Sequence, residues 1–107
     1  MRYKEHARAL VHARIAHYVS RGELAPKAVR IRNSKTRWGS CSIKGNLNFH
    51  YKLVLLPPEL ADYVIVHELC HLRELNHSAR FWAHVAVHVP DYHAKRAALH
   101  AHGRLLR

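Results

Sequence analysis

The sequence predicts an α+β fold: an N-terminal helix, a small antiparallel sheet of about three strands, a central helix and two C-terminal helices. Three observations predict it. Apolar residues recur at helical spacing before Gly22 and after Pro57, whereas between these points they alternate with polar ones. The stretch from Leu60 to Leu75 is apolar nearly all round, as expected of a helix at the centre of its domain. At 107 residues, 49% hydrophobic and 23% charged, the chain has the composition of a single small domain over 1–107, without repeat, linker or low-complexity tract.

From Tyr3 to Arg21 the residues Ala7, Leu10, Val11, Ile15, Tyr18 and Val19 form one helical stripe, and Gly22 is a suitable stop. His6, His12 and His17 then fall on the surface or its boundary. Ala28 to Arg32 alternates Val29 and Ile31 with Arg30 and Arg32, a half-exposed strand. A second stretch, Thr36–Ser42, a turn at Lys44-Gly45 and a third run from Asn46 to Leu53 read as a hairpin. In the third run Leu47, Phe49, Tyr51 and Leu53 share a face, opposite Asn48, His50 and Lys52.

Pro57-Pro58 suits a helix start, where proline gives up no needed hydrogen bond, and Glu59 complements the helix dipole. Asn76 can adopt the left-handed conformation that ends a helix. Ser78 can cap the next one, Ala79 to about His88, packed through Phe81, Trp82, Val85 and Val89. After Pro90-Asp91 a last helix runs from about Tyr92 to His102 and stops at Gly103.

Lys and Arg number 18 against 7 Asp and Glu, a formal charge of +11, which favours polyanionic partners such as nucleic acid. Cys41 and Cys70 make no disulfide framework, the N-terminus has no apolar signal core, and no stretch approaches a membrane span. The expected setting is the cytoplasm, with no membrane partner; oligomeric state is not legible.

Within the central helix, His67-Glu68-Leu69-Cys70-His71 carries the pattern His-Glu-x-x-His. Two imidazoles four residues apart share a helix face, so both can reach one metal ion, with a carboxylate beside them to take a proton from water. With 12 histidines in the chain, roughly 0.06 accidental matches are expected. Context therefore matters. On a helix buried all round, His67, Glu68 and His71 are polar groups that need partners or a metal.

A catalytic zinc usually takes three protein ligands and leaves one position open. Candidates for the third are His77, Glu74 and Cys70. Ligands on the same rigid helix approach the ion from one side, whereas His77, past the expected stop at Asn76, can swing back from another. His77 is the expected ligand, and Glu74 the carboxylate expected to orient an imidazole. Glu68 is the expected general base. For the oxyanion, Arg37, Tyr51, His88 and Tyr92 all remain open. The Leu47–Leu53 strand is the expected edge on which an extended polypeptide substrate would pair. His84 and His88 repeat the four-residue spacing without a carboxylate and read as an exposed or interface pair. His50, His93, His100 and His102 carry no distinguishing context.

Arg37-Trp38-Gly39-Ser40-Cys41-Ser42, Gly45-Asn46-Leu47-Asn48, Leu56-Pro57-Pro58, Asp62 to His71, Asn76-His77-Ser78, Phe81-Trp82 and Pro90-Asp91-Tyr92 occur in this order. Together they resemble the YgjP-like metallopeptidases, a minimal zincin group related to the SprT and WLM peptidases, over roughly Val29 to Leu99. The resemblance implies a compact, gluzincin-type zincin fold, one Zn2+ at His67, His71 and His77, and Glu68 as general base. Family members commonly carry a β-rich region ahead of the first helix, whereas this chain starts directly at the helix. The related SprT peptidases act on DNA-attached proteins, which makes a DNA-associated polypeptide a candidate partner.

Two other readings compete with a zinc metallopeptidase. A nucleotide pyrophosphatase would suit the basic charge, but no phosphate-cradling glycine loop is visible. A non-enzymatic nucleic-acid-binding module would close its zinc with Cys70 or Cys41, and would have no use for Glu68.

Overall fold

The computed structural model describes residues 2–106; Met1 and Arg107, the ends of the expected single domain, lie outside them. Helix α1 (Arg2–Ser20) is followed by strands β1 (Ala28–Arg32), β2 (Gly39–Cys41) and β3 (Asn46–His50). A 3-10 segment (Tyr51–Leu55) leads into α2 (Pro58–Cys70), α3 (Ala79–His88) and α4 (Tyr92–Ala101), and a short 3-10 turn (Gly103–Leu106) ends the fold.

The stripe on α1 behaves as its spacing requires: Ala7, Val11, Ile15 and Tyr18 are buried, while His6 and His12 are exposed and His17 lies at the boundary. Gly22, at φ 104°, closes the helix. Its N–H donates to the Val19 carbonyl (3.0 Å) and the Glu23 N–H to the Tyr18 carbonyl (3.1 Å), the paired bonds of a Schellman stop.

The three-strand sheet has the order β1-β3-β2. β2 and β3 form the expected hairpin, turned by Gly45 at φ 87°. The expectation of an antiparallel sheet fails at β1, which runs parallel to β3. Alternation tells which face of a strand is buried; it does not tell which neighbour the strand joins or in which direction. β3 is therefore the central strand, bonded on both sides, and cannot be the open edge anticipated for Leu47–Leu53. It also stops at His50: Leu47 and Phe49 fill the core from the strand, but Leu53 reaches it from the 3-10 segment.

His50, on the strand face opposite Leu47 and Phe49, has a place in the fold that the sequence did not mark. It is buried, and its Nδ1 accepts the Lys52 N–H (3.0 Å) to start the 3-10 segment.

α2 is the core element, with Leu60, Tyr63, Val64, Ile65, Val66, Leu69 and Cys70 all buried. It ends five residues before the expected Leu75, and no residue but glycine takes positive φ among those described, so Asn76 is not a left-handed stop. Instead the chain leaves α2 through tight turns in which Leu72 N–H donates to Leu69 O and Arg73 N–H to Cys70 O. The Arg73 guanidinium then donates to Gly22 O (2.7 Å) and to Glu23 (3.2 Å), locking the end of α2 to the end of α1. Ser78 caps α3 as expected, its Oγ accepting the Phe81 N–H. Among the described residues no helix is long and apolar enough to cross a membrane.

Candidate metal centre

α2 carries His67, His71 caps its C-terminus one turn on, and the early end of the helix brings His77 back over them. The three Nε2 atoms form a nearly equilateral triangle: His67–His71 3.2 Å, His71–His77 3.1 Å and His77–His67 3.2 Å. Among the described residues this is the one cluster of His, Cys, Asp and Glu able to hold a metal. Four nitrogens about 2.0–2.1 Å from a tetrahedral zinc stand about 3.3–3.4 Å apart, so the triangle has the size of one face of that tetrahedron.

The outer nitrogens decide what the inner ones can do. His71 Nδ1 donates to the Glu74 backbone carbonyl (3.0 Å), which leaves its Nε2 with a lone pair. Glu74 was expected to orient an imidazole through its carboxylate; it is the backbone that does so, while the carboxylate lies 3.7 Å from Arg80. The reason is the early end of α2, which turns the Glu74 carbonyl inward. His67 Nδ1 faces the Tyr63 hydroxyl at 3.4 Å. Burial above all pushes His67 down to about 3 and lowers His71 as well, which favours the neutral form of both rings. Three ring nitrogens converging at this spacing match the donor set of one metal ion.

Aromatic rings hold the imidazoles in place. Phe81 stacks on His71 (4.3 Å between centroids) and Trp82 stacks on His77 (5.8 Å). Tyr92 stacks in turn on Trp82 (4.8 Å), supporting the wall rather than facing the cleft. The sequence could have flagged Tyr63, which stands four residues before His67 on the same helix face.

His67 and Glu68 both line a cleft of about 960 Å³. The Glu68 side chain is buried in its lining, and burial pushes its carboxyl up to about 8 against the pull of Arg37. β2 runs alongside, with Gly39 against Glu68 and one edge free. Of the four oxyanion candidates, only Arg37 lines this cleft. Tyr51 stacks on His50 elsewhere, and His88 is not an exposed or interface partner of His84: it bonds Glu23 at 2.8 Å, with its side chain 9% exposed. No sulfur joins the cluster; Cys70 is buried with its thiol pushed up to about 12, and Cys41 up to about 11.

A family model for the YgjP-like metallopeptidase domain matches residues 2–102. The chain belongs to the YgjP-like metallopeptidase family. Among solved structures, this YgjP-like domain is similar to the crystal structure of the metallopeptidase zymogen of Pyrococcus abyssi abylysin. The two are 28% identical, over 75% of this chain and 76% of that one, with a TM-score of 0.55. No curated protein sequence matches the chain. The α+β architecture, with four helices and a mixed sheet of three strands, is thus that of a metallopeptidase.

Proposed function

We propose that the chain hydrolyses peptide bonds with one zinc ion held by Nε2 of His67, His71 and His77 and with Glu68 as general base. The observation that carries this reading is the Nε2 triangle, 3.1–3.2 Å on a side, one residue from a buried carboxyl on the wall of an open cleft. Zinc bound there would lower the pKa of water and polarise the scissile carbonyl.

The protein's own groups do the rest. The Glu74 carbonyl and the Tyr63 hydroxyl fix the tautomers of His71 and His67, keeping their Nε2 lone pairs turned inward. The positive charge of a bound zinc would favour the carboxylate form of Glu68, which would take a proton from the attacking water and pass it to the leaving amine nitrogen. The free edge of β2, at Gly39–Cys41, is where an extended polypeptide would pair beside α2, in place of the Leu47–Leu53 strand. Arg37, on the cleft wall, is the donor best placed to meet developing negative charge. A closed structural zinc draws no support, because the cluster has three nitrogens and no sulfur.

The test compares parent protein with Glu68→Gln on an unfolded protein substrate. The variant should keep about one zinc per chain and lose hydrolysis by about a thousandfold or more. A variant as active as its parent would remove Glu68 from the mechanism.

A further inference from the structure

The cleft beside the candidate centre has an unusual charge balance. Lys35, Arg37, Arg96 and Arg104 line it, with His93 and His100, and Glu68 is its one carboxylate. Of the six other acidic residues, four are engaged elsewhere, Asp62 with Arg14, Glu23 with Arg73, Glu74 with Arg80 and Asp91 with Lys95, and Glu5 and Glu59 do not line the cleft. Among the described residues none of the four cleft cations forms a salt bridge. Arg37 and Arg96 line the same cleft as His67 and Glu68. Arg96 is also held in position, its guanidinium lying over the Trp82 ring at 5.4 Å.

We propose that this cleft selects polypeptide substrates with Asp or Glu side chains flanking the scissile bond, the cations of Arg96, Arg104 and Lys35 receiving those carboxylates. The proposal names the substrate class of the peptidase reading above and rests on it. Uncompensated cations on a concave wall reinforce one another, so an acidic side chain gains there while a lysine meets like charge. The apolar part of the lining, Val64, Leu99 and Leu106 among it, accommodates the rest of the peptide.

Nucleic acid would answer to the same charge, but the cleft does not suit it. A cavity of about 960 Å³ cannot take a duplex. Single strands are gripped chiefly by stacking on open aromatic rings, and the large aromatic residues of this wall, Trp38 and Tyr63, are 8% and 2% exposed, which leaves only the smaller rings of His93 and His100 open.

The test uses fluorescein-labelled peptides of one length with two Glu, two Gln or two Lys beside a central bond. Binding to zinc-loaded Glu68→Gln protein is read by fluorescence anisotropy, so no turnover is needed. The Glu peptide should bind roughly tenfold more tightly than the Lys peptide, with Gln between and the gap narrowing as salt rises. Arg96→Glu combined with Arg104→Glu should invert the order; both positions are exposed, and a melting curve verifies the fold. Three peptides bound equally would overturn the proposal. So would single-stranded DNA that displaces the Glu peptide at lower concentration and loses binding on charge reversal. Hydrolysis of the same peptides by the parent protein is a separate arm. If the Glu preference holds in binding while no peptide is cleaved, acidic selection stands and the peptidase reading fails. If cleavage occurs without preference, the reverse holds.

Discussion

Gly39 of β2 lies directly against Glu68 of α2. A methyl group at Gly39 would stand 2.9 Å from Glu68 Cγ and 3.2 Å from its Oε2, with Val64 Cγ1 also at 3.2 Å. Gly39 is needed for the close approach of strand and helix, which seats the carboxyl in the lining of the cleft.

Gly39→Ala should therefore push the Glu68 carboxyl out of place. The expected outcome is a loss of about tenfold to a hundredfold in kcat/KM on an unfolded protein, with zinc content unchanged. Loss of zinc together with activity would mean that the substitution disturbs α2 as a whole.

His77 stands outside α2, yet its Nε2 closes the triangle at 3.1 and 3.2 Å. His77→Ala should weaken zinc binding by at least about a hundredfold, measured by competition with a chromophoric chelator. Undiminished affinity would leave His67 and His71 as ligands in need of another partner.

Tyr63 contacts His67 Nδ1 at 3.4 Å, a long hydrogen bond. Tyr63→Phe should lower zinc affinity by no more than about tenfold, the small end of the range for groups that orient a ligand. The same chelator competition measures it.

Asp62 accepts from Arg14 (2.6 Å to Nε) and from the Tyr18 hydroxyl, tying α2 to α1 on the side away from the cleft. Asp62→Ala should cost about 1–3 kcal/mol, read from urea denaturation, because it leaves two donors without their acceptor. Zinc affinity should not change.

Glu23 joins the ends of three helices through Arg73 and His88. Burial pushes its carboxyl up, but the hydrogen bonds from His88 and Arg73 outweigh this and hold it below its ordinary value of 4.5. A carboxyl lowered on folding adds stability above that value and loses it as pH falls through the folded one. Glu23→Gln should thus be less stable than its parent at neutral pH and converge with it under acid. Curves that stay parallel down to low pH would contradict the coupling.

By itself the sequence determined what depends on neighbours along the chain. The stripe on α1, the stop at Gly22, the turn at Gly45, the cap at Ser78 and the pairing of His67 with His71 are all matters of local spacing and backbone freedom. The early end of α2 escaped that reading because Leu72 and Leu75 continue the apolar pattern, whereas Arg73 is held by Gly22 and Glu23 some fifty residues earlier in the chain. That long-range anchor bends the chain so that the Glu74 carbonyl, and not its carboxylate, orients His71. Strand direction was likewise beyond reach, since alternation fixes faces and not partners; only the assembled sheet made β3 central and left the edge at Gly39–Cys41 open. The cleft was hidden for the same reason. Its cations come from the segment before β2, from α4 and from the last turn, and only packing around α2 brings Lys35, Arg37, Arg96 and Arg104 to one wall.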